Sequence, residues 1–387
     1  MENLSENIEK VPSNMDRDTA KNIGKSLLHA AGISPNGTEP WDIQIHNEDF
    51  YLRVLTEGPL GLGESYMDKW WDCQRIDIFI EKILRANIDT KIKIPFHFYA
   101  KQVLAKVINF QSKRRARQVA YTHYDLGNDL FEKMLDNRMI YSCGYWKTAT
   151  TLDDAQKDKL ELICQKLQLK PGLKLLDIGC GWGGLARYAA ENYGVSVTGV
   201  TISEQQYQHA KESCKGLPIE IRLQDYRDLN DQFDRIVSVG MFEHVGHLNY
   251  PTFMHTVHRA LKSDGLFLLH TIGINETSSL ANEWITKYIF PNGMLPSIAQ
   301  IAKSAEKLFV IEDWQNFGAY YDNTLMAWYE NFQAHWNTLK SQYDERFYRM
   351  WTYYLLACAG SFRARSNQLW QIVMSKNGVA GGYMSPR

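Results

Sequence analysis

The sequence lacks a C-x-x-C pair, a Cys/His cluster at metal spacing, and any apolar run near the roughly 20 residues of a bilayer span. Its six cysteines (Cys73, Cys143, Cys164, Cys180, Cys214 and Cys358) are scattered. That spacing argues against a disulfide framework or a bound metal and for a reduced, cytoplasmic compartment. The opening MENLSENIEKVPSNMDRD is polar and charged, unlike a secretory or transit peptide. Any membrane contact is therefore expected from the cytosolic face. There is no internal repeat and no biased tract, and the net charge of −1 says nothing about partners. Aromatic residues, by contrast, are plentiful, with 11 Trp, 21 Tyr and 16 Phe, as a roomy apolar site or large buried surfaces would need.

A chain of 387 residues is long for one core and suggests two or three domains. Residues 1–18 read as a flexible N-terminus and 19–90 as a mainly helical N-terminal domain. Within it, EGPLGLGESYMDKWWDC reads as a Gly-rich turn leading into an aromatic helix. Residues 91–117 carry eight Lys/Arg and no acid, with Ala100, Val103, Leu104 and Val107 at helical spacing. Such a basic amphipathic linker could lie on an anionic membrane surface or simply face water, and nucleic-acid contact is a weaker option.

From 118 onward, apolar strands alternate with helices: LKLLDIG, VSVTGVT, IEIRLQ, FDRIVSVG and LFLLHTI, with helices between them. The last of these helices spans YPTFMHTVHRALKSDG. This βαβ succession predicts an α/β fold, a Rossmann-like, mostly parallel, doubly wound sheet. The segment from about 275 to 387 reads as mostly helical, with LFVIEDW a further strand.

After the first strand comes DIGCGWGG, with Gly179, Gly181, Gly183 and Gly184. The glycines alone fit a dinucleotide fingerprint as well as an S-adenosylmethionine loop. Asp177 directly before them, and a second strand ending GVTIS with no acid for a ribose, favour the latter. Ser203 and Gln206 read as an S-x-x-Q capping box that also presents polar groups at the sheet edge. Asp225 and Tyr226 end the third strand as an acid and an aromatic suited to adenine.

YSCGYW, LDIGCGWGGLARY, GVTISEQQ, RIVSVGMFEHVG, LLHTIG, YIFPNG and LMAWYENF together resemble the cyclopropane-fatty-acyl-phospholipid synthases. These are the bacterial two-domain type within the cyclopropane/mycolic acid synthase family of S-adenosylmethionine-dependent methyltransferases. The similarity runs from about residue 20 to about 375. It implies a class I methyltransferase fold, residues 118–387 forming the catalytic domain with a helical lipid-site insertion at about 275–335. The implied reaction transfers a methylene group from S-adenosylmethionine to a cis double bond in an acyl chain of a membrane phospholipid.

Carried over residue by residue, the resemblance puts Tyr141, Ser142, Asp177, Gly179, Cys180, Gly181, Gly183, Gly184, Thr201, Ile202, Ser203, Gln206, Asp225 and Tyr226 at the cofactor. It also implies a bound bicarbonate as proton acceptor. The ion would be held by backbone groups of Cys143 and Ile272 and the side chains of Glu243, His270 and Tyr321. Cys358 matches a cysteine discussed as catalytic, although as a residue it reads better as buried packing. A homodimer, peripheral contact with the inner face of the membrane, no metal and no nucleic acid complete the expectation. The alternatives are a small-molecule methyltransferase and a non-catalytic lipid-binding protein. An amino-methylating nucleic-acid enzyme would carry a D/N-P-P-Y/F tetrad where this chain reads GMFEHVG.

Overall fold

The computed structural model describes residues 15–88, 127–278 and 281–387. The first 14 residues and the basic 91–117 segment lie outside the described residues. The chain divides into two compact units. One gathers the N-terminal segment with 279–290 and 340–366; the other holds 109–278, 291–339 and 367–387. Among the described residues no helix is long and apolar enough to cross a membrane.

The first unit contains α1 (Arg17–Ala30), β1 (Gln44–Ile45), α2 (Asp49–Glu57), α3 (Pro59–Met67), β2 (Trp71–Asp72) and α4 (Ile76–Arg85). Helices α10 (Glu283–Tyr288) and α13 (Glu345–Arg363) complete it. The Asp16 carboxylate caps α1, accepting from the Thr19 N–H, so this helix starts at Arg17, within the stretch read from sequence as the N-terminus. The Gly-rich stretch is itself the helix α3, not a turn before one. Its glycines answer to crowding, since a Cβ on Gly63 would lie 2.3 Å from Trp284. Trp71, Phe79, Trp284 and Tyr353 are buried together, with Trp71 5.3 Å from Phe79 and 6.4 Å from Tyr353, and Trp284 4.7 Å from Tyr353. The Arg349 guanidinium stacks 3.9 Å over Tyr66 and donates to Asp72 at 2.7 Å.

The second unit contains α5 (Asn128–Met134), α6 (Leu152–Lys166), β3 (Lys174–Ile178), α7 (Gly184–Tyr193), β4 (Ser196–Thr201), α8 (Glu204–Ser213), β5 (Ile219–Leu223) and β6 (Phe233–Val239). It continues through α9 (Tyr250–Ala260), β7 (Leu261–Ile274), α11 (Ile298–Ala305), β8 (Val310–Asn316), α12 (Ala319–Leu339) and β9 (Asn367–Ser375). The seven strands run β5-β4-β3-β6-β7-β9-β8. Pairings from β5 to β7 are parallel, and β9 is antiparallel to both neighbours. Both faces are covered, which is why the inner strands read as near-continuous apolar runs. Leu176, Phe267 and Leu269 enter one core with α9 and α11, whereas Leu175, Leu266 and Leu268 enter the other with α6 and α7.

Two sequence expectations change here. The helix predicted to run through Gly265 stops at Ala260, because fully buried Leu261 turns extended and pairs with Phe233. The segment expected to be mostly helical also contains β9, a strand with Leu369 to Met374 fully buried. The chain leaves β3 toward β4 and β5 on one side and returns to β6 and β7 on the other. Such a reversal opens a crevice at the carboxyl ends of β3 and β6, where sheets of this kind bind ligands.

Candidate active site

A cavity of about 210 Å³ opens at those carboxyl ends. It gathers Tyr141, Ser142, Asp177, Gly179, Cys180, Gly181, Gly184, Thr201, Ile202, Ser203, Gln206, Asp225 and Tyr226 from segments far apart in sequence. Of the expected cofactor residues, Gly183 alone is not among those lining it. Gly179, Gly181 and Gly183 all have positive φ, the region that favours glycine. Their surroundings differ. A Cβ on Gly179 would press on Met241 at 2.7 Å and one on Gly183 on Cys214 at 2.9 Å, while Gly181 faces open space. Only Gly181 therefore leaves room for close approach of a ligand to the backbone. Met139 and Asn292, also on the cavity wall, adopt positive φ without being glycine.

The capping box expected at Ser203 and Gln206 is half formed. Ser203 caps α8 by accepting from the Gln206 N–H. Gln206 does not return the bond: its Oε1 accepts from the Thr201 hydroxyl at 2.9 Å, and that hydroxyl accepts from the Ser203 N–H. Thr201 is thus inserted between cap and helix. Asp225 is clasped by Arg227, which donates from Nε at 2.8 Å and Nη2 at 2.6 Å. The Arg227 guanidinium lies 5.5 Å from the Tyr226 ring, whose edge packs on Phe253 at 5.3 Å.

The floor holds, beside the expected Asp177, a buried lysine that the sequence reading missed. Lys159, from α6, is buried and its Nζ donates to Ser142 Oγ at 2.8 Å. The Gln156 amide donates to the Ser142 carbonyl, also at 2.8 Å. Desolvation lowers the Lys159 ammonium, opposed first by the charge of Asp136 and more weakly by Asp177, and desolvation raises the Asp177 carboxyl, opposed by the charge of Lys159.

Beside the cavity, Glu243 follows β6 in a short 3₁₀ turn (Phe242–His244) and His270 lies in β7. Ile272 N–H donates to Glu243 Oε1 at 2.7 Å. Ile272 thus meets Glu243 through its backbone N–H. Glu243 Oε2 and His270 Nε2 are buried without a hydrogen-bond partner. They are two of eleven such atoms among the described residues; Asp177 Oδ2 on the cavity wall and Gln371 Oε1 are others, and each forfeits its hydration. Burial pushes the Glu243 carboxyl up to about 7 and holds His270 neutral, well below its usual range. His244 lines the cofactor cavity, and burial lowers it to about 4.

Cys143 is buried, and its thiol is raised by desolvation. Its loop is tied to α12 through Thr324, whose Oγ1 accepts from Gly144 N–H at 3.0 Å and Trp146 Nε1 at 2.8 Å. Tyr321 lies one turn before Thr324 on the same helix. A run of aromatic contacts, Trp182–Phe131–Tyr141–Trp328–Tyr321, links the glycine loop to it with centroids 5.1 to 5.9 Å apart. Cys358 belongs to the helical unit, on α13, where burial pushes its thiol up to about 12. It is protonated at neutral pH and is no ready nucleophile.

Known proteins resemble this arrangement closely. Residues 111–372 match the family model described as mycolic acid cyclopropane synthetase. The cyclopropane-fatty-acyl-phospholipid synthase of Escherichia coli (strain K12) is 60% identical over 364 residues, covering 93% of this chain and 94% of that protein. A probable fatty acid methyltransferase of Pseudomonas putida is 37% identical over 71% of this chain and 73% of its own length. Among solved structures, a mycolic acid cyclopropane synthase complexed with SAH and CTAB aligns with a TM-score of 0.64. It is 34% identical and covers 67% of this chain and 98% of its own. A cyclopropane synthase from Mycobacterium tuberculosis gives the same TM-score at 33% identity, again covering 67% of this chain and 98% of its own. The sheet order, the cavity and these likenesses make this a class I S-adenosylmethionine-dependent methyltransferase fold, and the chain belongs to the cyclopropane-fatty-acyl-phospholipid and mycolic acid cyclopropane synthase family.

Proposed function

We infer that this protein is an S-adenosylmethionine-dependent synthase that transfers a methylene group to a cis double bond in a phospholipid acyl chain, giving a cyclopropane fatty acyl phospholipid. The observation that carries this reading is the pairing of two sites at adjacent strand ends. One is a cofactor cavity lined by the glycine loop; the other is a buried corner with an orphan acceptor, Glu243 Oε2, and an orphan ring nitrogen, His270 Nε2.

Bound S-adenosylmethionine would supply an electrophilic methyl group. The chain's own part is to hold and align it, because an alkene is a weak nucleophile and gains most from orientation. Gly181 leaves room for the cofactor, and Ser142, fixed by Lys159 and Gln156, presents polar groups on one wall. Thr201, Ser203 and Gln206 form a pre-ordered rim. Asp225, held by Arg227, is positioned to accept from the adenine amine, with Tyr226 beside it. Alkylating the alkene leaves positive charge on the acyl chain, which water would capture. Tyr141, Trp328 and Tyr321 keep that side dry, and their ring faces favour a cation.

The residues present fit the small oxyanion that the family resemblance implies. Glu243 Oε2 can accept the hydroxyl hydrogen of bicarbonate, His270 and Tyr321 can donate to its oxygens, and Cys143 would contribute through its backbone. Bound there, bicarbonate would supply a proton acceptor without placing a charged side chain on the cation. Ile272 acts at one remove, by orienting Glu243. Neither Cys143 nor Cys358 is assigned a nucleophilic role, because burial raises both thiols. A phospholipid substrate also requires peripheral docking on the bilayer. Co-sedimentation should favour anionic over neutral vesicles, and equal binding to both would count against an electrostatic contact.

The assay that tests the main reading supplies methyl-labelled S-adenosylmethionine and vesicles of cis-unsaturated phospholipid. Acyl chains heavier by one methylene and carrying the label are expected. Label appearing in another acceptor, with none in lipid, would overturn it.

A further inference from the structure

Three polar side chains stand in transverse register on one face of the sheet: Gln315 on β8, Gln371 on β9 and His270 on β7. Gln371 and His270 are fully buried, at 0% and 1% exposure. An amide in such a place is costly unless its hydrogen bonds serve something. Gln371 Nε2 lies 3.3 Å from His270 Nδ1. The amide NH₂ can only donate, so Nδ1 is the acceptor, and a neutral ring must then carry its proton on Nε2. Burial keeps the ring neutral, with the charges of Lys159 and Lys166 acting in the same direction. The row is not a continuous relay. Gln315 Oε1 accepts from Lys166 Nζ at 2.6 Å, and the Gln315 amide donates to Tyr145 Oη at 3.4 Å. Gln371 Oε1 is buried without a partner, so among the described residues the contact with His270 is the one hydrogen bond of the Gln371 side chain.

We propose that Gln371 is a positioning residue for the reaction: by donating to Nδ1 it fixes His270 as the Nε2–H tautomer, so that the ring offers a hydrogen-bond donor to an oxyanion beside Glu243. The proposal rests on reading that corner as an oxyanion site. In the opposite tautomer Nε2 would present a lone pair. The corner would then hold two acceptors, Glu243 Oε2 and His270 Nε2, and the imidazole would repel an anion.

The tautomer can be observed directly. In the full-length protein labelled with ¹⁵N at histidine, long-range ¹H–¹⁵N correlations report which ring nitrogen carries the proton. The His270 signals are assigned by their loss in His270→Gln. The wild-type ring is expected as a single Nε2–H tautomer. Gln371→Met, similar in volume but without the donor, should mix the tautomers. It should also lower kcat, by about 10- to 100-fold if the loss matches that seen when the outer hydrogen-bond partner of a metal-binding histidine is removed. The KM for S-adenosylmethionine should stay put. A wild-type Nδ1–H ring would overturn the proposal, as would a Gln371→Met protein with unchanged tautomer and kcat. If Gln371→Met does not fold, the wild-type spectrum alone decides. An Nε2–H ring in an enzyme indifferent to bicarbonate removal would support the role of Gln371 and overturn the bicarbonate reading instead.

Discussion

The cofactor cavity and the corner next to it are built differently. Around the cavity most polar side chains are satisfied by one another, Asp225 by Arg227, Ser142 by Lys159 and Thr201 by Gln206, with Asp177 Oδ2, buried without a partner, the exception. In the corner, Glu243 Oε2 and His270 Nε2 are left without partners, and the Glu243 carboxyl is pushed up to about 7. A cradle that must bind a large, polar molecule can be pre-ordered by its own hydrogen bonds. A corner that must hold a small anion keeps its best groups uncommitted and bears the desolvation itself. Binding and chemistry should therefore separate on mutation.

The largest separation is expected for His270→Phe. It should cut kcat by about 100-fold or more, the scale of a lost acid–base element, while leaving S-adenosylhomocysteine affinity nearly intact. A parallel loss of affinity would merge the two regions into one.

The strain stored in the corner should be visible as stability. The Glu243 carboxyl has a folded pKa of about 7 against an ordinary value of 4.5. Because the folded value is the higher one, the penalty is absent below about pH 4, grows as pH rises, and is complete above about pH 7. In bicarbonate-free buffer, Glu243→Gln should therefore be more stable than wild type at pH 8, by up to about 3 kcal/mol, and not at pH 4. Denaturant titrations at the two pH values read this out. A variant less stable at pH 8 would show that Glu243 supports the fold.

A smaller effect should come from the glycine loop. Gly181→Ala forces a side chain into a left-handed conformation, costing about 1–2 kcal/mol, and points a methyl group into the cavity space. Cofactor affinity should fall more than stability does. Gly183→Ala, whose methyl group would meet Cys214 instead, should show the reverse. Equal effects at both positions would blur the distinction drawn between the glycines.

These differences also explain which parts could be read in advance. The cradle was legible because its pieces are local: eight consecutive residues from Asp177 to Gly184, a capping serine three residues from its helix partner, an acid and an aromatic side by side. The parallel strands announced themselves as apolar runs for the same reason. Glu243, His270 and Tyr321 are separated by 27 and 51 residues and sit on a turn, a strand and a helix, so only resemblance to a family could group them. Lys159 was missed although a signal existed: it sits on the helical stripe of Ala155 and Ile163, both buried, where a lysine is out of place. Arg227, in DYRD, reads as an ordinary turn residue. Strand β9 was absorbed into a helical reading because it directly follows α13, yet Gln371 in its middle reaches His270.

The most direct test of the division between cradle and corner is Glu243→Gln, measured twice on the same preparation. Turnover on labelled vesicles should fall about 100-fold or more, while calorimetry with S-adenosylhomocysteine should give a Kd close to wild type. Equal losses of turnover and of cofactor affinity would contradict the account, because Glu243 would then belong to the cofactor site rather than to the chemistry beside it.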